Sequence, residues 1–390
     1  MNRKHLLLTV SASLLALQAQ AAPLTDARSA ARGGTGVALA DLRSPTMNPA
    51  SVAAAPDAGF AFNMGIGAFA ADPDKAIDKV DDTQDDMDEL EDKINNGYYT
   101  TGDENQLIGD LQDLSGKKIK AEVGGALVLS IPADRVKMAF FAKNHTRIAS
   151  SFYYDPNDET YIRNAAMLGY LDTSGIMSSL NVSGVAVSDY GISLANTTQS
   201  PLGRLDFGTS VKYQQIILAD KKMQVASYDN EDIFNTDNDT EQSASMNLDL
   251  GATQHLGESH WQVAAVAENL LPYKTTVNGT GNSFKMSPQL TVAGAYDIGW
   301  FKTEANLELL KNNGFGQVQD TQMLRFGAEL GARKAAQLRV GYVHDLKGNQ
   351  DDMFTAGIGL SPFDVLNIDI AAMAGPERTY GAMLGLGLKI

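Results

Sequence analysis

The chain has 390 residues, of which 44% are hydrophobic and 20% are charged, and its formal net charge is -16. Such an acidic surface repels nucleic acid, so direct binding of DNA or RNA is not expected. The sequence contains no cysteine, which excludes disulfides, thiol catalysis and cysteine-based metal sites.

The N-terminus has the three-part layout of a secretory signal peptide, which we place at residues 1–22. Arg3 and Lys4 give it a positive start, residues 6–17 form an apolar core, and Ala19-Gln20-Ala21 supplies small residues for cleavage. The core is too short to span a bilayer as a helix. A buried N-terminal helix is the alternative interpretation, but the three-part layout favours an exported protein.

Residues 23–57 do not have the pattern of a strand, and we interpret them as a plug that enters a barrel formed by the rest of the chain. The segment contains Arg32-Gly33-Gly34-Thr35-Gly36 and then Asn48-Pro49-Ala50. No strand precedes the glycines, and both the G-x-G-x-x-G pattern and a Walker lysine are missing, so phosphate binding is not indicated. Glycines would instead let the plug pack tightly against an inner wall.

Residues 58–390 consist mostly of segments in which apolar and polar side chains alternate. In the last segment, for example, Leu384, Leu386 and Leu388 alternate with two glycines and a lysine. Two faces of opposite character, repeated along the chain, are typical of a transmembrane barrel with a lipid face and a polar lumen. The candidate strands are 58–70, 120–131, 135–150, 180–196, 203–219, 241–256, 260–270, 286–299, 300–311, 321–333, 336–346, 352–361, 364–374 and 379–390.

The connections between these strands alternate between long and short, as in outer-membrane barrels with long external loops and short periplasmic turns. The acidic first loop, 71–119, has apolar residues at helical spacing, which predicts amphipathic helices near 74–94 and 106–114. A solvated acidic tether is the alternative. The predicted fold is therefore an all-β transmembrane antiparallel barrel of about 14 strands, with an N-terminal plug and a helical extracellular loop.

Several short motifs support a family resemblance. They are the run Arg32 to Ala38 (RGGTGVA), Asn48-Pro49-Ala50, and Glu268-Asn269-Leu270-Leu271-Pro272. Together they resemble the long-chain fatty acid transporter (FadL) superfamily and, within it, the group labelled conjugal transfer protein TraF. The resemblance implies a fourteen-stranded barrel with an N-terminal hatch that passes small hydrophobic molecules. It also implies an alternative, a non-enzymatic accessory role in conjugal plasmid transfer.

The candidate functional residues are charged or polar side chains predicted to face the lumen, because a charge on the lipid face costs about 2–4 kcal/mol at mid-bilayer. On the barrel they are Lys302, Glu304, Glu308, Arg325, Glu329, Arg339 and Asp369, and on the plug Arg32, Asp41 and Asn48. We expect opposite charges on neighbouring strands to pair. They would anchor the plug through Arg28, Arg32, Asp41 or Arg43, and a role in solute selectivity is the second interpretation.

No catalytic residue, metal site or cofactor is predicted, and the chain is not expected to be an enzyme. His145 and His344 lie near predicted outer strand ends, but the sequence has no G-x-S-x-G elbow for a hydrolase. His255 and His260 flank a turn that we interpret as a solvated hairpin rather than a metal site.

The expected function is passive transport across the outer membrane of a Gram-negative bacterium. Gly124-Gly125 in the second strand, and Gly184 and Gly191 in the fourth, are candidate kinks that would open a lateral gap. The expected partners are outer-membrane lipid and lipopolysaccharide, the barrel-assembly machinery during insertion, and a small hydrophobic ligand. Proteins of a conjugation apparatus are the partners implied by the alternative function.

Overall fold

A computed structural model describes residues 24–54, 60–131, 137–227, 240–332, 336–362, 365–376 and 378–389. The predicted signal peptide, the turn at 132–136 and the loop at 228–239 lie outside these residues. Within the described ranges, no α-helix combines the length and the apolar character that crossing a membrane requires.

The described residues form a closed antiparallel barrel of fourteen strands, which confirms the predicted fold. The first and last strands pair with each other, so the barrel has no open sheet edge. The barrel strands are β1 Ala61–Ala71, β2 Lys118–Ile131, β3 Lys137–Tyr153, β4 Ser179–Ser200, β5 Gly203–Gln224, β6 Thr240–His255, β7 Trp261–Glu268, β10 Gln289–Asp297, β11 Phe301–Glu308, β12 Met323–Ala332, β13 Ala336–Asp345, β14 Met353–Leu360, β15 Leu366–Ala374 and β16 Thr379–Lys389.

The two faces of each strand differ as the alternation predicts. Where β1 pairs with β16, Met64 and Ile66 lie opposite Leu386 and Leu384, and all four side chains are exposed on the outside. Similar apolar side chains surround the barrel. Exposure of such an apolar band to water would be strongly unfavourable, whereas hydrocarbon solvates it well. The closed antiparallel sheet also satisfies the backbone hydrogen bonds, which lipid could not.

The N-terminal segment 24–54, which we call the hatch, lies inside the barrel and is almost entirely buried. It contains the short helix α1 Ala27–Ala30 and a 3-10 helix Pro49–Ala53. The Asp26 side chain caps the first by accepting from the Arg28 amide, and the Asn48 side chain caps the second by accepting from the Ala50 amide.

Strands β4 and β5 are much longer than the membrane requires. They pair over 22 residues each, whereas a transmembrane strand needs about 9–11 residues. We predicted β4 over 180–196 and β5 over 203–219, whereas β4 extends to Ser200 and β5 to Gln224. With this length, both strands continue beyond the hydrocarbon level on the side of the long connections. On the pattern of outer-membrane barrels, this side is the extracellular one.

A helical unit, which we call the cap, covers the outward side of this extension. It consists of α2 Ala76–Asn96, α3 Thr101–Leu114 and α4 Asn157–Leu168. Its buried side chains pack on outward-facing Phe152, Leu180 and Val182. Helices α2 and α3 correspond to the helices predicted in the first loop, but α4 was not predicted.

The inward side of the extension is covered as well. A hairpin of β8 Tyr273–Thr276 and β9 Ser283–Met286, together with the segment 312–321, packs on Val185, Val187 and Ile216. The Phe284 and Phe315 rings make an edge-to-face contact with centroids 6.5 Å apart. These segments, which we predicted as plain loops, narrow the extracellular mouth of the barrel.

Acidification is expected to stabilise the cap. Asp110 of α3 lies against Asp86 of α2, and burial together with this second carboxylate raises the pKa of Asp110 from 3.8 to about 6. Between these values the folded cap binds more protons than the unfolded segment, so its stability falls as the pH rises from about 4 to about 6. We expect amide hydrogen exchange in α2 and α3, corrected for intrinsic rates, to be slower at pH 5 than at pH 7.

The variant Asp110→Asn should lose this pH dependence, whereas Asp88→Asn, an exposed position on α2, should keep it. If hydrogen-exchange protection of the cap in Asp110→Asn still differed between pH 5 and pH 7, another titrating group would be responsible for the effect.

Candidate functional site: the hatch and the lumen cavity

Inward-facing glycines of the barrel make room for the hatch. A Cβ added to Gly251 would lie 2.1 Å from the Asn48 side-chain oxygen, and one added to Gly341 would lie 2.1 Å from the Gly33 nitrogen. The barrel glycines whose added Cβ would meet the hatch in this way are Gly124, Gly208, Gly251, Gly327, Gly341, Gly357 and Gly385. The hatch therefore packs on bare strand backbone over much of the barrel circumference.

Glu304 of β11 holds the middle of the hatch. Its carboxylate accepts four backbone N–H groups, those of Gly36, Val37, Ala38 and Leu39, at 3.0, 2.7, 2.9 and 3.0 Å. The side chain is only 2% exposed, so these donors replace the water that a buried charge would lose. The glycine-rich run thus forms a concave ring of amides around one carboxylate of the wall.

A chain of ion pairs connects the hatch with the C-terminal strands. The Arg28 guanidinium donates to the Glu329 carboxylate at 3.2 Å, and Arg339 donates to the same oxygen at 2.7 Å. Arg339 also pairs with Asp369 at 2.5 Å. Arg28 is paired with Asp41 inside the hatch as well. The hatch is therefore fixed to β12, β13 and β15 through a single shared carboxylate, Glu329.

The structure separates the predicted lumen residues into groups. Glu304, Glu329, Arg339 and Asp369 lie in the hatch contacts described above. Lys302 instead pairs with Asp297 at the β10–β11 turn, at 2.9 Å. Glu308 and Arg325 pair with each other at 2.7 Å and line a cavity beyond the hatch.

The predicted hatch residues also differ in their roles. Asn48 donates to the Val37 carbonyl and to Thr253 of β6, so it binds both the hatch and the wall. Asp41 pairs with Arg28 and Arg43, and these contacts stay within the hatch. Arg32 is buried, yet no carboxylate of the described residues lies within 4 Å of it and two of its nitrogens lack a partner.

A second charge cluster on the wall was missed from the sequence. Lys143 of β3 pairs with Glu268 of β7 at 3.2 Å, and Lys212 of β5 pairs with Asp189 of β4 and Asp249 of β6 at 3.2 and 2.8 Å. All five residues fall inside predicted strands. A charge in a strand that crosses lipid must face inward, so strand position alone could have indicated them.

The Glu268-Asn269-Leu270-Leu271-Pro272 motif covers this cluster. Asn269 has a left-handed backbone (φ 55°), and its amide donates to Asp249 at 2.8 Å. Gln214 donates to both Asp189 and Asn269 at 2.9 Å. The motif thus turns the chain inward after β7 and shields the charges from the lumen before the β8–β9 hairpin begins.

A cavity of about 130 Å³ lies between the hatch and the mouth. Hatch residues including Thr25 and Met47 contribute to its lining, as do the β8–β9 residues Phe284 and Met286. Its polar lining includes Lys143, His145, Arg147, Glu268, Asn306, Glu308, Asn312, Asn313 and Arg325. The lumen is therefore divided into a sealed part, occupied by the hatch, and a partly polar chamber outside it.

The expected kinks at Gly124-Gly125, Gly184 and Gly191 were wrong. Each of these glycines has a Cα partner on both neighbouring strands, so the wall has no gap at them. A groove of about 550 Å³ does lie on the outside beside Gly125, among Met64, Ile66 and Leu127. Gly125 is one of the residues that line this groove.

The four histidines among the described residues each contact a neighbouring side chain, and His344 contacts Asp352 at 2.6 Å. His145 contacts Glu122 at 3.0 Å, and His255 contacts Asp206 at 3.1 Å. The His260 ring packs edge-to-face on Tyr296. Among the described residues, no group of three or more histidine and carboxylate side chains is placed to hold a metal ion.

Comparison with protein families matches residues 45–307 to the family described as F plasmid transfer operon, TraF, protein. The chain belongs to this TraF family. The match begins within the hatch and covers two thirds of the sequence, so it includes the Asn48-Pro49-Ala50 and Glu268 motifs. No curated protein matches the chain.

Solved structures show which barrel fold this TraF-family chain has. The toluene transporter TodX of P. putida matches with a TM-score of 0.50 and 15% identity, covering 96% of this chain and 99% of TodX. A FadL homologue of Pseudomonas aeruginosa matches with a TM-score of 0.50 and 11% identity, covering 96% and 99%. At these identities the similarity concerns the fold, and it confirms the expected FadL-like barrel.

Replacing an inward glycine should unseat the hatch. In Gly251→Ala the new methyl group would overlap the Asn48 side chain, and such overpacking costs about 1–3 kcal/mol. We expect faster maleimide labelling of a cysteine placed at Val52, which is fully buried in the hatch. Gly294→Ala, on β10, is the matched control because no heavy atom lies within 4 Å of its added Cβ. Equal labelling rates in the two variants would show that Gly251 is not required for hatch packing.

Removing the Glu304 carboxylate should also loosen the contact between the hatch and the barrel wall. Glu304→Ala leaves four buried amides without their acceptor, and each buried unsatisfied group costs about 1–3 kcal/mol. We expect a higher single-channel conductance in planar bilayers than for the wild type. Lys302→Ala, two residues away on the same strand, should conduct like the wild type. A closed Glu304→Ala channel would contradict the anchoring role.

Proposed function

We propose that the protein is a hatch-plugged outer-membrane channel for small amphiphilic molecules that have an apolar body and an acidic group. The observation that carries this proposal is a buried arginine facing the lumen cavity without a carboxylate partner. The mixed lining of the chamber supports it, and so does the channel fold shared with TodX. We assign no catalysis to the chain.

Arg147 of β3 is the key residue of the cavity. It is 5% exposed, it lines the cavity, and no carboxylate of the described residues lies within 4 Å of it. One of its terminal nitrogens donates to the Asn313 carbonyl at 3.1 Å, while its Nε has no partner. Glu122, Glu308 and Asp320 attract Arg147 only over a longer range. A buried cation with no carboxylate in contact is costly, so an anionic ligand group would stabilise it.

Other unpartnered groups line the same chamber. The Nε of Arg325 and the side-chain oxygen of Gln289 are buried and have no hydrogen-bond partner among the described residues, although both residues line the cavity. A ligand with an anionic group and a donor could bind to all three residues at once. Two other cations of the lining are paired, Arg325 with Glu308 and Lys143 with Glu268. Arg147 differs from them because no carboxylate of the described residues lies within 4 Å of it.

The rest of the lining and the volume suit a small apolar body. Val187, Val266, Phe284 and Met286 line the chamber. Its volume of about 130 Å³ is close to that of cavities of roughly 150 Å³ that hold benzene in other proteins. An apolar lining next to an arginine favours hydrophobic solutes that also carry a negative charge.

For a solute to pass beyond the chamber, part of the protein must move, and we consider two routes. The hatch could shift toward the periplasm, or the wall could part near the outside groove. The groove supports a lateral route, because Asn144 of β3 lines both the groove and the lumen cavity. Apolar side chains around the groove would suit a solute that leaves into lipid.

Uptake of benzoate tests the proposal, with benzyl alcohol as a neutral molecule of similar size. In proteoliposomes, Arg147→Gln should reduce benzoate uptake about tenfold, which corresponds to a charge-assisted bond of about 1.4 kcal/mol. Uptake of benzyl alcohol should change little. Arg378→Gln, at an exposed rim position paired with Asp78, is the control. Equal losses for both solutes, or no loss, would overturn the assigned role of Arg147.

The family match favours a second candidate, an accessory role in conjugal transfer. In that case the extracellular cap would contact proteins of the transfer apparatus. A deletion strain should then mate less efficiently while its uptake of benzoate is unchanged. Normal mating in the deletion strain would remove this candidate.

A further inference from the structure

The far end of the cap displays a cluster of large apolar side chains. Tyr98, Met167, Leu168 and Tyr170 are 57%, 76%, 83% and 66% exposed, and we call them the cap tip. They lie at or just after the C-terminal ends of α2 and α4. An exposed apolar cluster on a structured unit is typical of a binding surface.

The cap tip is held in place by its neighbours. The Tyr99 hydroxyl donates to the Ala166 carbonyl at 2.9 Å, and Asn95 bonds both the amide and the carbonyl of Leu171. Leu171 itself is fully buried. The tip residues are thus exposed on a packed scaffold, so binding a partner there costs little ordering of the backbone.

Acidic residues surround the cap tip. Between Ala76 and Leu114 the chain has thirteen acidic residues and two lysines. Asp92 accepts from the Tyr98 hydroxyl at 3.0 Å, and Glu91 accepts from Thr173, so both carboxylates border the tip. The lysines of α2 and the arginine of α4 are paired with carboxylates, and Arg378 pairs with Asp78. These four cations offset only part of the thirteen negative charges, so the cap remains strongly acidic.

The negative charge around the cap tip favours some binding partners over others. A second copy of the chain would bring the same acidic surface into contact, and like charges in contact are unfavourable. Anionic lipid head groups are disfavoured for the same reason. A basic chain with apolar side chains satisfies both the charge and the exposed apolar area.

We propose that the cap tip binds a basic, amphipathic protein segment from outside the cell. Apolar side chains of that segment would cover Met167, Leu168 and Tyr170, and its lysines or arginines would face the carboxylates of α2. The acidic surface would also speed the encounter and make it dependent on salt. This binding face is separate from the lumen cavity, so it does not depend on the proposed transport function.

Binding of a labelled lysine–leucine amphipathic peptide to the full-length protein in lipid nanodiscs tests the proposal. The comparison peptides replace leucine with serine, or lysine with glutamate. We expect the lysine–leucine peptide to bind at least tenfold more tightly than either, and its affinity to fall as salt is raised.

Protein variants separate the apolar and charged contributions. Leu168→Ser with Tyr170→Ser should weaken binding at least tenfold, whereas Leu202→Ser, at an equally apolar exposed site on the β4–β5 turn, should not. Asp85→Lys with Asp88→Lys should weaken binding and reduce its salt dependence. Benzoate uptake should be unchanged in all of these variants, which keeps this test distinct from that of the channel.

Three outcomes would overturn the proposal. One is equal binding of the lysine–serine peptide, which would indicate attraction by charge alone. Another is unchanged affinity in the Leu168→Ser, Tyr170→Ser variant. The third is tip-dependent binding to anionic vesicles, or tip-dependent self-association in sedimentation, because either would identify a lipid surface or a second copy as the occupant.

Discussion

The arrangement depends on one constraint, that a chain surrounded by hydrocarbon must pair its backbone groups internally. The closure of β1 on β16 satisfies this for the wall. The surrounding hydrocarbon also determines where charged side chains lie. They face the lumen, because a charge exposed to lipid is costly. The hatch lies in this charged interior, where its own backbone N–H and C=O groups also need hydrogen-bond partners. Glu304 supplies them for four consecutive amides of the glycine-rich run.

The inward charges form two systems on opposite parts of the wall. On the C-terminal side, Glu329 joins Arg28 of the hatch to Arg339 of the barrel, so the ion pairs hold the hatch. On the N-terminal side, Lys212 is paired within the wall and covered by the Asn269 turn. Burying ions gives little net stability, but breaking one partner of such a pair is costly. The first system is therefore suited to fixing a movable segment, and the second to keeping the wall rigid.

The sequence predicted the features that depend on local alternation and missed those that depend on distant packing. The strands near Leu384 were clear because one face meets lipid and the other the lumen. The outer end of β5 was missed because Asp220 to Gln224 does not alternate between apolar and polar side chains. Gly251 and Gly341 fall inside predicted strands, but their partners, Asn48 and Gly33, lie some 200 to 300 residues away in the sequence. No local pattern reports such a contact, nor the pairing of Lys302 with Asp297 rather than with the hatch.

The hatch and the cavity are mechanically connected. Gly34 and Val37 line the chamber, while the Val37 amide is one of the four that Glu304 holds. A solute in the chamber, as proposed above, would therefore touch the same run of residues that fixes the hatch to the wall. On the other side, Arg325 and Glu308 form a pair that also lines the chamber, and Glu308 accepts the Met323 amide at the start of β12. An anion that attracts Arg325 would compete with Glu308 for it, so occupancy of the chamber would be transmitted to β12, the strand whose Glu329 binds Arg28 of the hatch.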